Sequence, residues 1–276
     1  MVAPLPIKKR LRILAGDIVD RIVKFLPPPE EGFRILLYHS VTESKKESDL
    51  EENTIDRELF ERQMDFLFFG NFNVINCRDA VKLLGDKKKF SPKTVAIAFD
   101  DGYKDNYKNA LPVLKRYNFP ATLFMSTDFL IKDGLKESYM NIDEITELKK
   151  TGLMDFGCHG KTHRMLSALD EESLECEIAG AKRVLQDITG SDICLFAYPY
   201  GHGASYNRKV IEKIRSAGFL GAFTTIFGFN GYSRNLYLLC RNRISWIDEI
   251  SEFKKHLNGS YDWCEIFELL RKKRTY

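Results

Sequence analysis

The sequence TVAIAFDDGY, residues 94–103, places two carboxylates directly after a short apolar run. An apolar run of this length that ends in a turn signal is typical of a buried strand, and Asp-Gly favours the turn. Asp100 and Asp101 repel each other when both are ionised, so the pKa of one rises unless a cation lies beside them. We therefore expect a cation at the carboxyl end of this strand.

The segment CHGKTH, residues 158–163, offers further ligands for such a cation. The spacing of His159 and His163 allows both imidazoles to bind one metal ion, and Asp101 completes a set of three ligands that leaves positions open for water and substrate. Histidines at this spacing also occur as ordinary surface residues, and the glutamate of the helical zinc-protease motif is absent. We predict that Asp101, His159 and His163 bind one divalent metal ion, with zinc as the first choice and iron, nickel or cobalt as alternatives. Asp100, beside a ligand but free of the metal, is the predicted general base.

Strand and helix signals alternate along nearly the whole chain of 276 residues. A third apolar run ends in a Pro/Gly turn in FAYPYG, residues 196–201. Such alternation predicts a parallel sheet covered by helices, and a chain of this length can form one domain with a full core. We predict an α/β fold, a single (β/α) barrel, in which the three turns meet at the carboxyl ends of the strands.

Together the three segments resemble the motifs of the NodB-homology polysaccharide deacetylases, carbohydrate esterase family four, which read Phe-Asp-Asp-Gly, His-x-x-x-His and Pro-Tyr-Gly in this order. The resemblance extends from about Gly32 to about Trp246. It implies a distorted barrel of about seven strands, and a metal-dependent hydrolase that removes N-acetyl groups from an acetamido sugar. That N-acetylated carbohydrate would belong to a polysaccharide, an oligosaccharide or a glycan precursor, in the assembly of surface glycans.

The early run ILLYHSV, residues 35–41, resembles the branch of the family that includes the poly-N-acetylglucosamine deacetylases. In that branch the histidine that acts as the catalytic acid lies on the first strand, which implies that a protonated His39 donates to the leaving amine. The Pro-Tyr-Gly turn implies a third catalytic group, the backbone NH of Tyr200, as a donor to the oxyanion. His256 lies in a polar stretch near the end of the chain, and we expect it on a solvated helix face and not as the acid.

Two residues depart from the family pattern. Gly160 stands where Ser or Thr usually fixes the loop of the second motif, and Ala197 stands where many members have an arginine that pairs with the catalytic aspartate. Thr162 or Cys158 is a candidate to replace the missing hydroxyl at position 160. Arg241 or Arg243 is a candidate to replace the missing guanidinium at position 197, unless both arginines are solvated surface residues. These departures motivate an alternative function, a catalytically inactive carbohydrate-binding pseudoenzyme that keeps the fold and the metal site.

The two ends of the chain are predicted as extensions of the barrel. We divide the chain into an amphipathic helix and Pro-rich linker (1–31), a deacetylase domain (32–250) and a helical extension (251–276). The apolar residues of the first helix form one stripe opposite a mostly basic face: Ile7, Leu11, Leu14, Ile18, Ile22 and Phe25. Such a helix either lies at a membrane surface as a peripheral contact or packs on the barrel.

Composition limits the partners and the compartment. Charged residues interrupt the first 26 positions, so neither a signal peptide nor a spanning helix is predicted there. The six cysteines have no paired spacing, which is typical of a reducing compartment. We expect a cytoplasmic protein or one bound peripherally at the inner membrane face. A net charge of +3 without an aromatic and basic groove motif predicts no nucleic-acid partner.

Overall fold

The computed structural model of the chain describes residues 7–23, 25, 31–43, 53–131 and 137–265. The strands are β1 (Gly32–Tyr38), β2 (Ser40–Thr42), β3 (Thr54–Asp56), β4 (Asn73–Ile75), β5 (Thr94–Phe99), β6 (Ala121–Met125), β7 (Met154–Cys158), β8 (Leu195–Ala197), β9 (Gly221–Phe223), β10 (Asn230–Gly231) and β11 (Asn242–Arg243). The helices are α1 (Ile7–Val23), α2 (Arg57–Phe69), α3 (Cys77–Gly85), α4 (Leu111–Tyr117), α5 (Thr127–Ile131), α6 (Ile142–Lys150), α7 (Glu171–Glu175), α8 (Ala181–Thr189), α9 (Arg208–Ser216) and α10 (Ile250–Asn258). A π-helical turn, Cys176–Gly180, joins α7 to α8.

The main sheet has the strand order β10-β1-β5-β6-β7-β8-β9, with β11 also paired to β1 and β4 to β5. Every pair from β1 to β9 is parallel, and only β10 is antiparallel to its neighbour. The segment 239–243 contacts both ends of the sheet, because Leu239 bridges Phe223 of β9 and β11 pairs with β1. The predicted α/β barrel with an N-terminal helix is confirmed.

The two faces of the strands bury different side chains. Val95, Ile97 and Phe99 of β5 belong to the core between the sheet and the helices, whereas Ala96 and Ala98 belong to the core inside the barrel. This alternation is the two-residue period of an extended strand. Residues of the other strands that share the inner core are Ile35, Leu37, Phe124, Leu195, Ala197 and Phe223.

Helix α3 closes the barrel at the amino ends of the strands. Its residues Ala80, Val81 and Leu84 are buried in the inner core. The backbone NH of Cys77 donates to Thr122 Oγ1 at 2.9 Å, near the start of β6. The opposite, carboxyl end of the barrel is therefore the end at which loops are free to form a site.

Helix α1 packs on α10 and on the turn that follows it. Gly16 lies against the ring of Tyr261, and the guanidinium of Arg12 lies 5.3 and 5.2 Å from the ring centres of Phe227 and Tyr261. None of the helices in the described ranges is both long enough and apolar enough to cross a membrane. The boundaries at 31/32 and 250/251 stay predictions, and residues 266–276 of the predicted C-terminal extension lie outside the described residues.

Candidate active site

Three of the predicted residues come together at the carboxyl end of the barrel. Asp101, in the turn after β5, and His159 and His163, in the loop after β7, each offer one ligand atom, and these atoms lie within 4.8 Å of one another. Asp101 Oδ1 is 3.6 Å from His159 Nε2 and 3.5 Å from His163 Nε2. The strands that carry these loops are separated by one strand, β6, so the sheet order brings them together.

The donor atoms of this cluster fit a divalent metal ion. His159 Nδ1 donates to the carbonyl of Ala197 at 2.8 Å, which leaves the lone pair on Nε2 directed at the cluster. Asp101 Oδ1 is buried and has no hydrogen-bond partner among the described residues. Because an unpartnered buried carboxylate oxygen is costly, a cation at this point would stabilise it.

The two neighbouring carboxylates have opposite pKa shifts. Burial, and then the charge of Asp100, raise the pKa of Asp101 to about 7. Burial also raises the pKa of Asp100, but the charges of Arg241, His159 and His39 outweigh it and lower that pKa to about 2. Asp100 is therefore ionised at neutral pH, and a cation beside Asp101 would lower the raised pKa of that carboxyl group.

Arg241 is the arginine that compensates for Ala197. Its Nη1 and Nη2 donate to the two oxygens of Asp100 at 2.7 and 2.8 Å, and its Nε donates to the carbonyl of Thr224 at 2.8 Å. The side chain is fully buried, over the ring of Phe124. The prediction that an arginine from another strand end reaches Asp100 is confirmed for Arg241.

Strained backbone occurs in the loops of the site. Three residues other than glycine have positive φ in the loops after β5, β7 and β8: Asp101 (71°), His163 (58°) and Tyr200 (63°). Such conformations cost of order 1–3 kcal/mol each and persist where surrounding contacts enforce them. Gly160 has a φ of 82°, and a Cβ there would lie 3.1 Å from Glu177 Oε2, so the loop geometry favours glycine at this position.

Glu177 fixes the histidine loop, and the sequence reading missed it. Its Oε2 accepts the backbone NH groups of Lys161 and Thr162 at 2.8 and 3.0 Å, and its Oε1 accepts the hydroxyl of Thr162. The carboxylate is almost fully buried in the π-helical turn between α7 and α8. The local sequence does not distinguish Glu177 from its exposed neighbours Glu171 and Glu172. Thr162 therefore compensates for Gly160, as one of the two candidates, while Cys158 lies in the outer core.

His39 lies at the end of β1, two residues after Leu37 of the inner core. It is buried, and its Nδ1 has no hydrogen-bond partner among the described residues. Burial lowers its pKa to about 4; Asp100 opposes this shift, and Arg241 and Arg243 add to it. The imidazole is therefore neutral in the free site at neutral pH, and the role of His39 as the catalytic acid stays a prediction.

Tyr200 lies beside the histidine loop. Its half-exposed ring has its centre 4.9 Å from that of His163. Its backbone NH has no acceptor among the described residues, and the carbonyl of the same residue accepts the hydroxyl of Thr225 at 2.8 Å. The role of the Tyr200 amide as an oxyanion donor stays a prediction.

His256 is not on a solvated face. It is fully buried between the rings of Phe227 and Tyr261, with its Nε2 3.1 Å from Asp248 Oδ1. The expectation was wrong because α1 covers this side of α10, where Lys255 is buried as well and donates to Asp17. The local sequence is polar, but its partners come from distant segments.

Comparisons with known proteins agree with this architecture. Residues 87–222 match the family model described as polysaccharide deacetylase. The chain contains a polysaccharide deacetylase domain of the NodB type. YxkH of Bacillus subtilis, which is named as a polysaccharide deacetylase, is 28% identical over 211 residues, which are 76% of this chain and 71% of that protein.

Two further relatives extend the comparison. The poly-β-1,6-N-acetyl-D-glucosamine N-deacetylase of Staphylococcus aureus (strain MRSA252) is 27% identical over 191 residues, 64% of this chain, and the match spans 62% of that protein. The deacetylase PplD of Streptococcus pyogenes superposes with a TM-score of 0.74 at 22% identity, over 84% of this chain and 99% of that one. The last comparison shows a shared fold, and the predicted distorted barrel is confirmed.

Proposed function

We propose that this protein is a metal-dependent carbohydrate N-deacetylase, which hydrolyses the amide bond of an acetamido sugar in a polysaccharide, oligosaccharide or glycan precursor. The observation that carries the proposal is the cluster of Asp101, His159 and His163 next to Asp100, which is ionised and held by Arg241. Polymers of N-acetylglucosamine are the first substrates to test, because the Staphylococcus aureus relative carries the name of such a deacetylase.

Asp101, His159 and His163 would hold the metal. When bound, a divalent cation polarises the acetamide carbonyl and brings the pKa of a water molecule toward neutrality. Two imidazoles and a carboxylate suit zinc, and also iron, nickel or cobalt. We propose zinc as the first metal to test.

Asp100 and His39 would move the protons. Asp100 accepts the proton of the attacking water, since Arg241 keeps its carboxylate ionised and fixes its orientation. The C–N bond breaks only when the departing nitrogen receives a proton, and His39 is the nearby group proposed to donate it. Because His39 is neutral in the free site, it must take up that proton during the reaction, and the adjacent Asp100 is the proposed source. The products are acetate and a free amine.

The alternative function, an inactive pseudoenzyme, was based on two side chains that are missing from the family motifs. Other residues of the chain make the contacts that these two side chains would make. Arg241 holds Asp100 in place of an arginine at position 197, and Glu177 holds the histidine loop in place of a hydroxyl at position 160. No observation in the described part of the chain favours the pseudoenzyme.

Acetate release tests the proposal. Wild-type protein, Asp100→Asn and the exposed control Asp187→Asn would be purified, assayed for metal content, and incubated with N-acetylglucosamine oligomers and polymers. We expect all three to contain stoichiometric metal, and Asp100→Asn to release acetate about 10²–10⁴-fold more slowly than the others. Bound metal without acetate release from any N-acetylated glycan would instead indicate a binding protein. Comparable turnover in Asp100→Asn would refute the general-base role.

A further inference from the structure

The outward face of α1 is apolar, and no other described residue covers it. Leu11, Leu14, Ile18 and Ile22 are 55–59% exposed, and Phe25, just after the helix, is 90% exposed. Residues three and four positions apart share one face of a helix, so the four aliphatic side chains form a continuous stripe, which we call the α1 stripe. Single exposed apolar residues are ordinary, but a contiguous patch of this kind marks a contact surface.

The orientation of the helix is fixed by its other face. Besides the contacts of Gly16 and Arg12 with the ring of Tyr261, Asp17 accepts the ammonium of Lys255. Asp20 Oδ1 accepts Asn258 Nδ2 at 2.5 Å and the hydroxyl of Ser260 at 3.0 Å. Turning the α1 stripe toward the protein's own core would break all of these contacts. The two alternatives predicted for this helix are therefore compatible, because it packs on the barrel and still presents an apolar face.

The charges around the stripe favour an anionic partner. Both carboxylates of the helix, Asp17 and Asp20, are engaged by the domain, whereas Arg10 and Arg21 are exposed along one border of the stripe. The side of the molecule formed by α1 thus combines an apolar centre with cationic groups.

We propose that α1 binds the surface of an anionic lipid bilayer, with the α1 stripe in the interfacial region and Arg10 and Arg21 at the lipid phosphates. A helix of this kind lies in the plane of the interface and binds by its buried apolar area together with attraction to anionic lipids. A second copy of the chain is the less suitable partner, since four half-exposed aliphatic residues and one phenylalanine offer roughly a few hundred Å², below the ~800 Å² per partner of a stable interface. The proposal does not depend on the deacetylase activity.

Vesicle flotation with the full chain tests this proposal. The protein would be mixed with vesicles of phosphatidylcholine alone or of phosphatidylcholine with phosphatidylglycerol. The variants are Leu14→Ser/Ile18→Ser, Arg10→Gln/Arg21→Gln, and the control Phe69→Ser, which removes an exposed apolar side chain from α2. Thermal unfolding would verify that each variant is folded.

We expect the wild type and Phe69→Ser to float with the anionic vesicles and not with phosphatidylcholine alone. Leu14→Ser/Ile18→Ser should bind at least about tenfold more weakly, and Arg10→Gln/Arg21→Gln should bind more weakly with a smaller dependence on salt. Unchanged binding by the serine variant, absence of wild-type binding, or equal binding to both vesicle types would overturn the proposal. A wild-type dimer that the serine variant dissociates, without vesicle binding, would assign the α1 stripe to a second copy.

Discussion

At the scale of single residues, partners from distant segments determine what each group at the site can do. Asp100 and Asp101 are adjacent and identical, and burial raises the pKa of both carboxyl groups. The charges of Arg241, His159 and His39 nevertheless lower the pKa of Asp100 to about 2, whereas the charge of Asp100 adds to burial and raises the pKa of Asp101 to about 7. One carboxylate is thereby ionised at neutral pH, whereas the other needs a cation beside it to stabilise its charged form fully.

Glu177 should determine how tightly the histidine loop holds a metal ion. Its carboxylate accepts two backbone NH groups and one hydroxyl of residues 161 and 162, between the two proposed ligands. An amide in its place would turn a donor toward these donors, so Glu177→Gln should weaken metal binding by roughly 10–100-fold. Competition with a chelator would measure the change, and Glu175→Gln, about half exposed in the same segment, is the matched control.

Hydrogen exchange distinguishes this role from a structural role of Glu177 elsewhere in the protein. In the metal-free protein, exchange of the amides at residues 160–163 should accelerate in Glu177→Gln and not in Glu175→Gln. Equal metal affinity in the two variants would show that the loop holds its ligands without this carboxylate.

His39 should make the stability of the metal-free protein depend on pH. Its pKa is about 4 in the folded protein and about 6.5 when exposed, so the unfolded state binds the proton first as the pH falls. Stability should therefore decrease between about pH 6.5 and pH 4, by about 3 kcal/mol from this residue. His39→Gln cannot titrate and should lose that part of the dependence. Urea unfolding of both proteins at pH 7 and pH 4.5, with chelator present, would measure it. Equal pH dependence of the two proteins would mean that the imidazole is not buried as described.

At the scale of elements, the amino end of the barrel is filled by core side chains and the carboxyl end carries the candidate site. Helix α3 fills the amino end with Ala80, Val81 and Leu84, while the loops after β5, β7 and β8 form the site at the other end. Asp101, His163 and Tyr200, which are among the residues other than glycine with positive φ, lie in these loops. Stability and chemistry can therefore be changed independently.

Shortening a buried side chain of α3 should lower the stability of the protein without affecting the proposed metal site. Leu84 is buried in the inner core, so Leu84→Ala should destabilise the protein by about 2–5 kcal/mol. Lys82→Ala, on the exposed side of the same helix, is the control and should change stability by less than about 0.5 kcal/mol. Chemical denaturation together with metal content would be measured on both variants. A loss of metal from folded Leu84→Ala would show that the two ends are coupled.

At the scale of the whole molecule, the proposed metal ligands come from segments that are far apart in sequence. Asp101 follows β5, and His159 and His163 follow β7, so one ion would link two loops of the sheet that are not adjacent. A ligand that binds only the folded state stabilises it according to its free concentration.

Metal binding should therefore raise the unfolding temperature. With free zinc at 100 times its dissociation constant, the folded state should gain about 2.7 kcal/mol, and chelation should remove this gain. His163→Ala lacks one of three protein ligands and should show almost no zinc-dependent shift, whereas His202→Ala, in the neighbouring turn, should behave like the wild type. Scanning calorimetry with zinc and with chelator would measure both. A full zinc shift in His163→Ala would exclude His163 as a ligand.

The sequence by itself was sufficient to predict the barrel and the residues that meet at its rim. An apolar run followed by a polar turn is a local signal, and parallel strands bring their carboxyl ends to one edge. Asp100, Asp101, His159 and His163 follow two such strands, so their proximity required no knowledge of distant packing.

Tertiary structure alone decided which partners these residues have. Arg241 and not Arg243 pairs with Asp100, Glu177 holds the loop beside Gly160, and His256 is buried under α1. Each of these contacts joins residues from separate segments, and their side chains look like ordinary surface residues in the sequence. The neutral state of His39 has the same origin, because its pKa depends on burial and on charges from other loops. Periodicity reports which face of an element is buried, whereas the identity of a contact partner depends on how the elements pack.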